Sequence, residues 1–152
     1  MTWTCEDWNA KPYMLWFGAR VLLAQAGLSR IELQVKDHHR GAADTEAVNG
    51  AILAYLHDVA QGAAIRSLLG DDVKAIATLN LNVSYVSLMH AGNVLVGEGR
   101  AITVHNAVAF AQSEFRNADG AVCCHASGTF RILRKASTNR LAKPEDKPWM
   151  SM

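Results

Sequence analysis

The sequence predicts a single α+β domain in which an antiparallel sheet buries one face against a long central helix. Three observations carry this. Residues 50–69 form an apolar run at helical spacing, ended by Gly70. Residues 75–133 hold four long strand candidates separated by short turn signals, and residues 30–36 form one more alternating stretch ahead of the helix. Half of the 152 residues are hydrophobic and 19% are charged, enough for one substantial core.

The elements follow in order. Pro12 to Leu28 (PYMLWFGARVLLAQAGL) has apolar residues at helical spacing, with Pro near its start and Gly27 near its end, and predicts a first helix. In RIELQVK, residues 30–36, Ile31, Leu33 and Val35 alternate with polar residues, the period of a half-buried strand. A polar loop, DHHRGAADTEAVNG, leads to the central helix, which is apolar nearly all round and therefore predicted to be buried.

After Gly70 the period changes to two. AIATLNLNVSYVSL (75–88) sets Ala77, Leu79, Leu81, Val83 and Tyr85 against a polar row of Thr78, Asn80, Asn82 and Ser84, a row suited to an interface or a substrate groove. VLVGEGRAITV (94–104), AVAFAQSEFR (107–116) and AVCCHASGTFRIL (121–133) follow, separated by HisAlaGly, HisAsn and AsnAlaAspGly. These short separators predict a meander of neighbouring strands. The chain thus divides into an N-terminal helical segment (1–29), the α+β domain (30–134) and an irregular, charged tail with two prolines (135–152).

Charge and cysteines narrow the function classes. Fifteen basic and fourteen acidic residues nearly cancel, which argues against nucleic acid as a partner. Cys5, Cys123 and Cys124 have no metal-ligand spacing, and adjacent cysteines make a poor disulfide. No apolar stretch reaches the ~18 residues of a membrane span. A soluble, cytoplasmic protein without metal is expected. The His38–His39–Arg40 run reads as a loop feature, His57 as a structural or pocket-wall residue, and Cys123 and Cys124 as small buried hydrophobes.

Strand, buried helix and antiparallel strands in this order resemble the hotdog fold, a sheet of five to six strands wrapped around a central helix. The helix opening NGAILAYLHD (49–58) resembles the HGGxxxxLxD element of phenylacetate-degradation-type acyl-CoA thioesterases, with Asp58 on that element's catalytic Asp. LNLNVSYV (79–86) and the stretch from Gly92 to Leu133, with its DG turn and closing GTFRIL, extend the resemblance over residues 30–133. The family's His is Asn49 here, its second Gly is Ala51, and an Asn usually six residues upstream falls on Ala43.

The resemblance implies hydrolysis of an acyl-CoA to a free acid and coenzyme A, with no metal or redox cofactor. Gly50 would offer its backbone N–H, at the positive end of the helix dipole, to the thioester oxygen. Asn49 would stand in for the family's His, Asp58 would act as base or nucleophile, and Thr78 would supply a supporting hydroxyl. Gly50 and Asp58 are eight residues apart, or ~12 Å along a helix, too far to grip one carbonyl from a single chain. The family habit of building the site between two antiparallel helices therefore implies a homodimer at least, and a homotetramer is expected. Arg134 and Lys135 are the candidates for the phosphates of coenzyme A, and Trp16 and Phe17 for closing one end of the acyl pocket. The rival readings are a non-catalytic acyl-CoA or lipid-like ligand binder and a hotdog hydratase or dehydratase.

Overall fold

A computed structural model describes residues 3–41 and 44–136; Ala43 and the predicted tail from residue 137 onward lie outside them. Two short helices, α1 (Cys5–Asn9) and α2 (Pro12–Phe17), lead into strands β1 (Ala19–Gln25) and β2 (Leu28–Gln34). The central helix α3 (Gly50–Arg66) precedes β3 (Val73–Tyr85), β4 (Val94–His105), β5 (Val108–Arg116) and β6 (Val122–Arg134). The strands form one antiparallel sheet in the order β1-β2-β4-β5-β6-β3, curled around α3. This is the hotdog arrangement.

Two expectations need correction. The run from Pro12 to Leu28 is not one helix. Gly18 takes φ 78°, a left-handed conformation that ends α2, and its N–H returns to the Met14 carbonyl at 2.9 Å. Residues 19–25 then form β1, which folds back on β2 through Ala26 and Gly27, both at positive φ (51° and 79°). Such a turn matches the natural twist of a hairpin. The apolar residues of ARVLLAQ satisfy either period, and the sheet edge decided between them.

The second correction concerns β3. β4, β5 and β6 do form a meander, but β3 pairs with β6 and not with β4. The connection 86–93 is too long for a tight hairpin. It crosses the end of the sheet instead: Val86 and Ser87 donate to the Cys123 carbonyl at 2.8 and 3.1 Å, and buried Met89 accepts from Val48 N–H at 2.9 Å.

The core lies between α3 and the inner face of the sheet. Ile31, Leu33, Leu56, Phe115 and Met89 are fully buried in its larger part, and Ile65, Phe130 and Ile132 in its smaller part. α3 approaches β4 closely: a Cβ on Gly99 would lie 2.5 Å from the Ala60 carbonyl oxygen, a carbonyl that also accepts from Ser29 Oγ at 2.6 Å. No helix among the described residues is long and apolar enough to cross a membrane.

One irregularity in β3 positions the site. Thr78 pairs with Phe130 and Asn80 with Thr129, so Leu79 is an extra residue, a β-bulge. A bulge reverses the alternation. Thr78 faces α3 ahead of it, and Tyr85 faces α3 beyond it. Asn80, Asn82 and Ser84 turn to the opposite face, so the predicted polar row is broken after its first member.

Candidate active site

α3 starts where Asn49, in an extended conformation, caps it: Asn49 Oδ1 accepts from Ala51 N–H at 2.9 Å. The cap uses the amide oxygen and leaves the donor capacity of Nδ2 for another acceptor. The loop ahead is tightly held. Asn49 N–H donates to the His39 carbonyl at 2.9 Å. The buried His39 ring accepts from Lys36 N–H at Nδ1 and donates to the Phe17 carbonyl at Nε2, each at 3.0 Å. Burial, with the neighbouring His38, holds its pKa below the usual value. Arg40 donates to the carbonyls of Glu46, Ala91 and Gly92 at 2.8–3.0 Å. The HisHisArg run is thus a loop clamp that aims Asn49.

Gly50 N–H, the first amide of α3, donates to no group among the described residues. It is an orphan donor at the positive end of the helix. Tyr85 supports it from β3: its hydroxyl donates to the Gly50 carbonyl at 2.7 Å, and its ring would lie 3.2 Å from a Cβ at position 50. The sequence placed Tyr85 on the side of Leu81 and Val83 but carried no sign of this contact.

Two turns further on, Asp58 is half-buried and its Oδ1 accepts from Thr78 Oγ1 at 2.6 Å. The carboxylate lines a cleft of ≈ 250 Å³ with Trp8, Tyr13, Tyr55, Val59, Gly62, Ile76 and Phe130. The two tyrosines were not foreseen. Burial, Tyr13 and the charge of Asp58 push the Tyr55 phenol up to about 12; Tyr13 is raised by burial and by Asp58. Both are neutral hydrogen-bond donors at pH 7. Tyr55 is fixed by a stacked Phe17 with ring centroids 3.8 Å apart. Phe17 therefore supports the cleft from behind, while Trp16 is 82% exposed and does not line it. Trp8 and Tyr13 line the cleft instead.

His57 points the other way, into the core. Its Nδ1 shares a hydrogen bond with Ser113 Oγ at 2.7 Å and its Nε2 one with Cys124 Sγ at 3.2 Å, and Gln61 Nε2 donates to the same Ser113 Oγ at 2.8 Å. Burial, with a smaller effect from His125, lowers the His57 pKa to about 4, and burial with Cys123 raises the Cys124 thiol to about 12. Both partners are neutral at pH 7. The pair is a core contact and no thiolate nucleophile. Cys123 is also fully buried, whereas His125 is exposed, because the β5–β6 register shifts beside Cys123.

Arg134 leaves β6 at the end paired with Val73, five residues or ~16 Å along β3 from Thr78. Its guanidinium pairs with the Asp72 carboxylate and donates to the Asn106 carbonyl at 3.2 Å, and Lys135 N–H donates to the Asp72 carbonyl at 2.8 Å. The fold thus joins Asp58 to Thr78 and leaves Asn49 and Gly50 at the far end of the helix.

Comparison with known proteins identifies the family. The model of the thioesterase superfamily matches residues 46–124. A curated protein of Archaeoglobus fulgidus named "Putative esterase" is 27% identical over 111 residues, covering 73% of this chain and 68% of that protein. A thioesterase from Haemophilus influenzae superposes with a TM-score of 0.78 at 13% identity, over 92% of this chain and 97% of its own. A thioesterase protein of Streptococcus pneumoniae described as hypothetical, solved with coenzyme A, has a TM-score of 0.66 at 18% identity, over 78% and 91%. With its helix opening, Asp58 and four of its six strands inside or overlapping the matched segment, this hotdog chain belongs to the thioesterase superfamily.

Proposed function

We propose that the protein is an acyl-CoA thioesterase whose site forms between two copies of the chain. The observation that carries the reading is the pairing of an accessible carboxylate, held by Thr78 in an aromatic cleft, with an unsatisfied helix N-terminal amide on the same helix. Attack on a thioester needs a base or nucleophile on one side of the carbonyl and donors for its oxygen on the other. Gly50 N–H, with the Asn49 amide beside it, binds the oxygen. Thr78 pins one carboxylate oxygen of Asp58, and the other takes a proton from the attacking water. The tetrahedral intermediate collapses with loss of the coenzyme A thiolate.

Because ~12 Å of helix separates the two halves, Asp58 of one protomer works with Gly50 of its partner. Strand β3 supports a seam for that pairing. It is a sheet edge of thirteen residues with Lys74 as its one charge, and Leu79 and Tyr85 are 60% and 52% exposed. Solitary edge strands are ordinarily blunted by charge or proline. An isologous pairing of two such edges leaves neither open. The solved relative with coenzyme A supports the choice of thioester, and Arg134 and Lys135 are the proposed phosphate contacts.

Complementation tests this reading. Asp58→Asn and Gly50→Val should each lower thiol release from acyl-CoA by about a hundredfold or more. Unfolded and refolded together in equal amounts, they should regain about a quarter of wild-type activity, since half the dimers are mixed and each mixed dimer holds one intact site. No recovery in verified mixed dimers would overturn the shared site, and undiminished turnover by Asp58→Asn would overturn the role of Asp58.

A further inference from the structure

Gly62 lies one helical turn beyond Asp58, on the same face of α3, and lines the same cleft. Glycine inside a helix is unfavourable relative to alanine, yet local geometry does not require it here. Its φ is not positive, and a Cβ would meet Ile76 Cδ1 at 3.5 Å and Trp8 Cη2 at 3.7 Å, which are ordinary contacts. Gly128, facing the same helix, differs: a Cβ there would stand 2.2 Å from Gln61 Oε1. What the missing side chain of Gly62 preserves is space beside Asp58.

Trp8 walls that space beside Gly62, its Cη2 3.7 Å from where a Cβ at position 62 would stand. Helix α1 holds Trp8 with 8% exposure, packed by the edge of Trp3 at 5.4 Å between ring centroids. α1 is itself fixed by a reciprocal cap, in which Thr4 N–H and hydroxyl donate to the Asp7 carboxylate and Asp7 N–H donates to Thr4 Oγ1. Val59, Ile76 and Phe130 make the walls apolar.

We propose that Gly62 and Trp8 form the closed end of an acyl pocket that begins at Asp58, and that the bare Cα of Gly62 sets its depth. The proposal rests on the thioesterase reading and names the substrate class: acyl-CoA with a compact acyl group. The cleft beside Asp58 measures ≈ 250 Å³, a size that suits a short acyl group. Trp8 precedes the segment matched by the family model, so this chain's own N-terminal helix supplies the stop.

The test uses saturated acyl-CoA substrates from two to twelve carbons, and the matching non-hydrolysable thioethers, with wild type, Gly62→Ala and Trp8→Phe. For wild type, kcat/KM and thioether affinity should fall tenfold or more between six and eight carbons. In Gly62→Ala the limit should move shorter, with a loss at six carbons at least tenfold greater than the loss at two carbons and an unchanged or higher Tm. Trp8→Phe, which keeps a buried ring, should move the limit longer. Parallel chain-length profiles for wild type and Gly62→Ala would overturn the proposal, as would failure of every thioether to bind. A shifted affinity profile without thiol release from any substrate would support the pocket while overturning the hydrolase reading.

Discussion

Thr78 and Asp58 meet at 2.6 Å because Leu79 is an extra residue in β3. Thr78 lies ahead of the bulge and faces the helix, while Asn80 and Asn82 beyond it face away. A hydrogen bond to a charged group contributes about 1.5–3 kcal/mol, or about 10- to 100-fold if it is needed at the transition state. Thr78→Val should therefore lower kcat by that factor with little change in KM, and Thr78→Ser should restore most of it. Steady-state kinetics on the folded variants measures this; equal rates for Val and Thr at position 78 would remove Thr78 from the mechanism.

Gly50 is confined by Tyr85. A Cβ at position 50 stands 3.2 Å from the Tyr85 ring, tighter than ordinary contact, so the ring or the helix end must shift by a few tenths of an ångström. An oxyanion donor displaced by that much should cost about tenfold in kcat/KM, since a full ångström costs about a hundredfold. Gly50→Ala should show this loss, and Gly50→Ala combined with Tyr85→Leu should recover part of it. A double variant no better than Gly50→Ala would show that the ring is not the obstacle.

His57 makes stability depend on pH. Its folded pKa is about 4 against an ordinary 6.5, so between these values the unfolded chain binds more protons than the native one. The stabilisation is complete above pH 6.5 and is lost as pH falls toward about 4, a total on the order of 3 kcal/mol. Buried His39, also lowered, acts in the same direction. Chemical denaturation at pH 7, 6 and 5 should show falling stability, and His57→Gln should be less stable at pH 7 but lose less on acidification. An equal slope in the variant would exclude His57 as the cause.

The edge of β3 predicts the oligomer. Val86 N–H bonds the Cys123 carbonyl, so by alternation Asn82 and Ser84 also point to β6 and Val83 N–H points to the open edge; Val83→Pro removes that donor, which an edge-to-edge partner needs. Sedimentation should show a wild-type dimer or larger assembly and a monomeric variant with little thiol release. A monomeric variant of full activity would contradict a site shared between chains.

Much of this molecule was legible from local pattern. The 3.6-residue spacing that ends at Gly70 marked α3, although the helix stops at Arg66, and the period of two marked β3 to β6 within a few residues. NGAILAYLHD marked the capped start of α3 and the carboxylate on which the proposed site rests, because capping and helix dipole are properties of a few consecutive residues. Tertiary structure decided the rest, because those choices depend on neighbours distant in the chain. ARVLLAQ became a strand when β2 offered it a sheet edge, and β3 joined β6 because its following connection is too long to turn back. Tyr13, Tyr55 and Trp8 reached Asp58 only through the packing of α1 and α2. The bulge at Leu79, which swings Thr78 onto the carboxylate, leaves no mark in an alternating sequence, since one extra residue inverts every facing beyond it without changing a letter.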